Sequence, residues 1–304
     1  MTVINTNSAA TITANAVTKN ERVMSQTMER LSTGLRINSS ADDAAGLAIS
    51  SRMTSQINGL NQAVRNANDA ISMVQTVDGA LIEVTNMLQR MRELAVQASS
   101  GTNSASDRAS LDLEFEALKS EIDRIGDNTE WNATKVLDGS LGQVDFQVGA
   151  NASQTISITF GDLNVDGVAT TVTEADDADA DTGLVVGLTT ATYGSGTATN
   201  DLLGLDIGTS ASNANTAITS LDYAIGKVNS HRATLGATMN RLEYAADNLA
   251  NVSQNTTASR SRITDADYAS ETTELARTQI IQQAATAMLS QANQAAQSVL
   301  ALLK

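Results

Sequence analysis

Few side chains in this sequence could carry out chemistry, and they do not form a catalytic set. The only histidine is His231, and the chain contains no cysteine. A catalytic nucleophile or general base needs an oriented partner, and the sequence offers neither a second histidine nor a thiol. His231 falls on the outer flank of a predicted helix, which favours a solvated or packing role. The sequence therefore predicts no catalytic residues, no cofactor and no enzyme.

An acidic stretch after the second predicted strand is the best candidate for metal binding. Asp162, Asn164 and Asp166, followed by Gly167, match the start of an EF-hand calcium loop. The twelfth position of such a loop carries a bidentate glutamate but is Thr173 here, and a strand rather than a helix precedes the loop. We therefore interpret the stretch as an Asx-rich turn and predict no metal site.

Two other stretches have non-catalytic interpretations. The alternating Asp177, Asp179 and Asp181 could attract divalent ions weakly, but a solvated acidic loop explains them better. Gly194-Ser-Gly196 lacks the lysine that follows in a phosphate-binding loop, so we interpret it as a flexible loop.

The composition indicates long helices rather than a thick globular core. Average usage predicts about fifteen prolines in a chain of this length, and there are none among the 304 residues. Aromatic residues make up only 3% of the chain, so aliphatic side chains must fill narrow contacts between helices. Without cysteine, disulfides and thiolate metal sites are excluded.

Both ends of the chain carry apolar residues at alternating spacings of four and three, which is the coiled-coil pattern. No acidic residue precedes Glu21 or follows Glu274. Helices without a charged face are usually buried inside something larger, so we expect copies of the chain to cover them. The residues that we name the assembly seam are Met24, Met28, Leu31, Leu35, Ile281, Met288, Val299 and Leu302.

The middle of the chain predicts further helices and one hairpin. The pattern continues from Asp43 to Ser99, a helix of roughly 85 Å at 1.5 Å per residue. A break at 100–103 leads to a shorter helix containing Phe115, and alternating residues on both sides of the turn 149–153 predict a β-hairpin. The helical pattern of apolar residues returns at about Ser212. A break at 257–261 then leads into the last helix.

Charge separates the middle from the two ends. The stretch 136–226 contains twelve acidic residues and no lysine or arginine. It therefore carries most of the chain's net charge of −15. This segment should stay in solvent, and the acidic balance disfavours nucleic-acid binding. No run is apolar enough to span a bilayer, and the first residues lack the features of a signal peptide, so these rules alone predict a cytoplasmic protein.

The predicted fold class is mainly α, a long antiparallel helical coiled-coil rod with a β-hairpin region and a small, mostly irregular or β outer insert. An inner terminal coiled-coil domain takes in 1–43 and 258–304. A helical rod domain with the hairpin takes in 44–164 and 205–257. A short acidic variable insert takes in 165–204.

Several motifs in order resemble the bacterial flagellins. They are RLSTGLRINSSADDAAGLAIS (30–50), NGLNQAVRNANDAISMVQTVDGAL (58–81), LQRMRELAVQASSGTNSASDR (88–108), EIDRIGDNTEWNATKVLDG (121–139), SRSRITDADYASETTELARTQIIQQAATAMLSQANQ (259–294) and the terminal SVLALLK. They cover about two thirds of the chain and leave out the insert.

The resemblance implies a structural subunit of the helical flagellar filament, exported through the flagellar type III channel to the outside of the cell. This overrules the cytoplasmic prediction. The expected partners are other copies of the chain, an export chaperone, cap and junction proteins, and host flagellin receptors, with no nucleic acid and no membrane insertion.

The resemblance also assigns recognition residues. Gln89, Arg90, Leu94 and Glu114 match positions through which similar flagellins bind a Toll-like receptor. Val299, Leu300, Leu302 and Leu303 resemble the tail read by a cytosolic inflammasome sensor. Alternatively, Arg90 and Glu114 are contacts between neighbouring subunits.

Two other protein classes stay open at this point. A hook-filament junction protein shares the terminal motifs, although the continuous match through LQRMRELAVQ and DADYA favours a flagellin. An enzyme or metal-binding module on the same scaffold would need a large insert with clustered His, Asp or Glu, and the insert of about forty residues has no histidine.

Overall fold

The computed structural model describes residues 7–163 and 205–301, with side chains as far as Gln294, and it is mainly α-helical. The helices of this part are α1 (Ser8–Thr33), α2 (Ala44–Ser99), α3 (Ala105–Asn128), α4 (Ala211–Thr264) and α5 (Tyr268–Ala301). The strands are β1 (Glu130–Trp131), β2 (Thr134–Lys135), β3 (Gln143–Gln147) and β4 (Thr155–Thr159). The predicted fold class is confirmed, and the long helix predicted for 43–99 is α2.

The chain divides into two compact units. The first comprises Met1–Asn58 with Ser253–Lys304, and the second comprises Gly59–Val252. The predicted domain boundaries at 43/44 and 257/258 stay a prediction, and the predicted insert 165–204 lies outside the described residues.

In the first unit, α1 and α5 pair in opposite directions, as the sequence predicts. The side-chain amide of Asn7 donates to the carbonyl of Ala292 at 3.0 Å, and that of Asn20 donates to the carbonyl of Thr278 at 2.8 Å. Because a partner nearer the end of α5 lies opposite the start of α1, the two helices are antiparallel.

The two loops of this unit are joined by backbone hydrogen bonds. Arg36 N donates to the carbonyl of Thr264 at 2.7 Å, and Ala266 N donates to that of Gly34 at 3.0 Å. Gly34 ends α1 in the left-handed conformation, with φ 71°, which glycine adopts without the strain of a Cβ.

The predicted break at 257–261 is wrong, because α4 continues to Thr264. The hydroxyls of Thr257 and Ser259 donate to carbonyls one turn earlier, so these residues are accommodated within the helix. The chain breaks instead at Asp265–Asp267, where Asp267 accepts from Ala269 N and caps the start of α5.

Asp42 organises the loop between α1 and α2. Its carboxylate accepts from the backbone N–H groups of Ser39 at 3.0 Å and Asn38 at 3.2 Å, and from the amide of Gln26 at 2.6 Å. These donors, with the Ser39 N–H foremost, lower the pKa of Asp42 from 3.8 to about 2.

We expect Asp42→Asn to lower the stability of the first unit at neutral pH and to have no such effect in strong acid. A lowered pKa in the folded state stabilises the fold above pH 3.8, and this contribution disappears as the pH falls through about 2. Thermal unfolding by circular dichroism should therefore show a gap between the two proteins at pH 7 that closes between pH 4 and pH 2. Asp69→Asn, on the exposed side of α2, controls for the lost charge. A gap that persists at pH 2 would contradict this role of the carboxylate.

The second unit is built around one apolar face of α2. Its buried residues repeat at alternating spacings of three and four: Leu60, Ala63, Ala67, Ala70, Val74, Val77, Leu81, Val84, Leu88, Met91, Ala95 and Ala98. Helix α4 repeats the pattern with Ala214, Ala217, Leu221, Ala224, Val228, Leu235, Leu242 and Leu249. Buried residues at this spacing are typical of the contact faces of coiled coils.

Two ion pairs join α2 and α4. Arg232 Nε donates to Asp78 at 2.8 Å, and both side chains are partly buried. Further along α2, Arg92 pairs with Asp222 of α4, and this contact lowers the pKa of Asp222. Because Asp78 precedes Arg92 in α2 whereas its partner Arg232 follows Asp222 in α4, the two helices are antiparallel.

Helix α3 and the hairpins complete the second unit. Phe115 and Ile122 of α3 are buried in its core. The predicted hairpin is confirmed as β3 and β4, with Val144 paired to Ile158 and Phe146 to Ile156. The sequence analysis missed the shorter β1–β2 hairpin, whose turn residues Asn132 and Ala133 have φ of 50° and 61°.

Candidate assembly and recognition surfaces

The fully buried residues of the contact between α1 and α5 are polar. Asn20, Thr27 and Thr278 are its buried residues. Asn20 also donates to Gln282 Oε1 at 3.1 Å, and Gln282 donates in turn to Glu21 at 3.0 Å. These bonds satisfy the buried amide of Asn20.

The structure divides the α1 part of the assembly seam into two groups. Met24 and Leu31 are half-buried and lie one turn from the buried Asn20 and Thr27, on the side that faces α5. Met28 is 54% exposed and Leu35 is also exposed. The inward position next to Met28 is taken by Thr27, and the role of the four residues in one assembly seam stays a prediction.

Helix α5 shows the same division. Gln282 and Leu289 are half-buried, whereas the preceding residues Ile281 and Met288 are 39% and 63% exposed. Each predicted position is thus one residue away from the contact face. The side chains of Val299 and Leu300 are not among those that the structure describes, and Leu302 and Leu303 lie outside the described residues.

Sequence reasoning missed two exposed apolar residues on the same helices. Ile12 of α1 and Ile280 of α5 are both largely exposed. The doublet Ile280-Ile281 was a usable signal, since one helix face cannot bury both. We define the outer apolar set as Ile12, Met28, Leu35, Ile280, Ile281 and Met288.

The predicted receptor residues fall into an exposed group and one buried residue. Gln89, Arg90 and Glu114 are exposed, and Arg90 Nε donates to Glu114 at 2.9 Å while Nη1 donates to Glu93 at 3.0 Å. The Glu114 carboxylate raises the pKa of Arg90 further above its ordinary value. The cluster is therefore an exposed arginine held by two carboxylates across α2 and α3.

Leu94 is the one buried residue among the predicted receptor residues. Its side chain is 1% exposed and belongs to the core of the second unit. It supports the helix beneath Arg90 and is not available to a partner.

The remaining candidates from the sequence are His231 and the EF-hand-like stretch that begins at Asp162. His231 is half-buried at the spacing of Val228 and Leu235, not on an outer flank. Asp162 forms a β-bridge with Asp138, and the rest of the EF-hand-like stretch lies outside the described residues. Among residues 7–163 and 205–301 there is no group of three His, Asp or Glu that could hold a metal ion. None of the described helices is long and apolar enough to cross a membrane.

Large apolar side chains that stay exposed on both paired terminal helices are typical of a protein that associates with a partner. Comparison with known proteins gives the family. The chain matches the bacterial flagellin N-terminal helical region over residues 4–141 and the C-terminal helical region over residues 218–303.

Individual relatives agree with this match. The chain is 43% identical to the flagellin of Bacillus subtilis (strain 168) over 314 residues, covering 99% of both chains. It is 44% identical to the flagellin of Halalkalibacterium halodurans over 277 residues, covering 91% of this chain and 90% of that one. The crystal structure of Bacillus cereus flagellin matches 61% of this chain and 88% of that chain, with 33% identity and a TM-score of 0.44.

The chain belongs to the bacterial flagellin family, as the motifs predicted. It is therefore a structural subunit of the flagellar filament, which forms outside the cell by self-polymerisation.

Proposed function

We propose that the outer apolar set is the surface through which this subunit polymerises and that a second copy of the chain covers it. The exposure of Ile281, Met288 and Met28, on helices whose fully buried residues are polar, is the observation that carries the proposal. No acidic residue precedes Glu21 or follows Glu274, so like-charge repulsion from carboxylates does not oppose close packing of these ends.

The energetics support a polymer rather than a closed pair. Full burial of an aliphatic or Met side chain contributes roughly 1.5 to 3 kcal/mol, so several residues of the outer apolar set suffice to drive assembly. Apolar residues on two different helices offer unlike patches, and a heterologous contact that does not close produces a helical filament.

The finer functional assignments follow from family membership. We propose that the inner domain lies at the filament core and that the chain leaves the cell through the flagellar type III channel, with an export chaperone, cap and junction proteins as partners. We propose no nucleic-acid partner and no membrane insertion. A hook-filament junction protein is the alternative, and alignment with flagellins over 99% of both chains favours the filament subunit.

Recognition by host receptors is a second proposed role. Gln89, Arg90 and Glu114 are exposed in the free chain, so a receptor could reach them directly, with Leu94 acting only as internal support. The tail residues Val299, Leu300, Leu302 and Leu303 are proposed for the cytosolic sensor on the motif alone.

A matched pair of substitutions tests the assembly surface. Ile281 and Ile82 are the same residue type with the same exposed fraction, 39%, but only Ile281 belongs to the outer apolar set. We expect Ile281→Glu to leave helix content unchanged and to slow seeded filament growth strongly, because burying an unpaired carboxylate in a subunit contact is costly. Ile82→Glu should grow normally.

Electron microscopy of filament length after seeding measures both variants. Equal growth of Ile281→Glu and the natural protein would remove Ile281 from the assembly surface. Equal inhibition by the two substitutions would show that added charge, and not position, slows growth.

A further inference from the structure

The methionines of the described residues differ sharply in exposure. Met73 and Met91, in the core of the second unit, are buried, whereas Met28 and Met288 are 54% and 63% exposed. The remaining described methionines are half-buried: Met24, Met53, Met87 and Met239. The two most accessible thioethers are therefore both on the paired terminal helices, and both belong to the outer apolar set.

Each exposed methionine has apolar neighbours that are also exposed. Leu35 lies seven residues after Met28, on the same side of α1 by heptad spacing. Met288 lies at the level of Ile12, because Asn7 bonds to Ala292 and Asn20 bonds to Gln282 on either side of that level. Each thioether therefore has an exposed apolar residue on its own helix at heptad spacing, Leu35 for Met28 and Ile281 for Met288.

We infer that Met28 and Met288 are modification sites at which oxidation by a peroxide blocks addition of the chain to a filament. The inference rests on the proposed function, since it requires the outer apolar set to be buried during growth. It adds regulation of assembly by a chemical modification, which the assembly proposal does not contain.

The chemistry is a two-electron oxygen transfer. The Sδ lone pair attacks one oxygen of a hydroperoxide, the O–O bond breaks, and an S–O bond forms. With hydrogen peroxide the thioether becomes a sulfoxide and the peroxide is reduced to water. The sulfoxide is polar and chiral, so it can no longer be buried in an apolar contact without an unsatisfied oxygen.

Accessibility predicts when the reaction occurs. In the free chain Met28 and Met288 are open to a small oxidant, whereas Met73 and Met91 are enclosed by packed side chains. Within a filament the proposed neighbours would cover the two exposed thioethers. Oxidation should therefore act on chains that have not yet assembled and spare those that have.

The test treats the full-length monomer with hydrogen peroxide, maps sulfoxides by peptide mass spectrometry, and measures growth on untreated seeds. We expect sulfoxide first at Met28 and Met288, with growth slowed by at least about tenfold. Methionine sulfoxide reductases A and B, which together reduce both epimers, should restore growth. In intact filaments the same two sites should react more slowly.

The double variant Met28→Leu with Met288→Leu shows whether these two sites are responsible. Its growth after peroxide is compared with its own untreated growth, and the ratio should stay near one. If the double variant does not grow, recovery of the oxidised natural chain by the reductases decides the question.

Three results would overturn the inference: fully oxidised Met28 and Met288 with undiminished growth, reduction of both sulfoxides without recovery, or a double variant as sensitive as the natural chain. The assembly proposal fails on a different result, namely normal growth of Ile281→Glu. A chain that grows after oxidation but not after Ile281→Glu would therefore refute the methionine sites alone.

Discussion

Removal of residues 281–304 is expected to abolish filament growth and to leave the second unit folded. The deletion takes away Ile281 and Met288 of the outer apolar set and the end of α5 that bonds to Asn7. The second unit keeps its whole core, because Gly59–Val252 contains all of the α2 and α4 faces that pack there. Seeded growth by electron microscopy and thermal unfolding by circular dichroism measure the two effects separately.

A deletion elsewhere controls for loss of chain length. Removing residues 168–199 takes away more residues but leaves Leu163 and Leu205, which are buried on either side of the deleted stretch. Filaments should still grow from this chain. Growth of the 281–304 deletion would contradict the assembly surface, and failure of the 168–199 deletion would show that the acidic stretch contributes to subunit contacts.

Arg90→Asp is expected to reduce receptor signalling by the monomer steeply and to leave the helices intact. Arg90 is exposed and its two carboxylate partners are on the surface, so reversing its charge removes no core contact. Losing a desolvated arginine in an interface typically costs about 2 kcal/mol or more, which is roughly thirtyfold in affinity. A cell-based reporter of receptor activation, with the monomer titrated, measures the change.

Arg124→Asp is the matched control for this substitution. Arg124 is also an exposed arginine paired with a carboxylate, Glu121, in the same unit, but it is outside the predicted receptor residues. Signalling should stay near the natural level in this variant. Natural potency of a folded Arg90→Asp monomer would leave Arg90 and Glu114 as subunit contacts only, and the receptor proposal would be withdrawn.

The sequence predicts the helices more accurately than the rotation of each helix about its axis. In α2 the apolar pattern can run from Leu60 to Ala67 through either Ala63 or Val64, and the structure buries Ala63. A heptad pattern defines a buried stripe along the helix, but two adjacent residues can compete for the same position in it. Hydrophobicity alone favours valine over alanine at that position. Close packing against another helix favours the smaller side chain inside. The choice therefore depends on the partner helix, which the sequence of one helix does not reveal.

The candidate surfaces were predicted less completely for the same reason. Thr27 faces α5 and Met28 faces outward because Asn20 and Gln282 form hydrogen bonds across the pair, and no single-helix pattern reveals such a partner. Leu94 is four residues from Arg90 but belongs to the buried stripe. Short motifs at Arg30–Ser50 and Leu88–Arg108 nevertheless identified the family, because they are matched residue by residue and need no tertiary information.

A helical reconstruction of the assembled filament by electron cryomicroscopy tests the central claim most directly. The exposed fractions of Met28, Ile281 and Met288 in the free chain are 54%, 39% and 63%. If this surface drives polymerisation, all three side chains will be buried against neighbouring copies, while Asn20 keeps its bond to Thr278 within the chain. A filament in which these three side chains remain open to solvent, with subunits joined through other surfaces, would contradict the account.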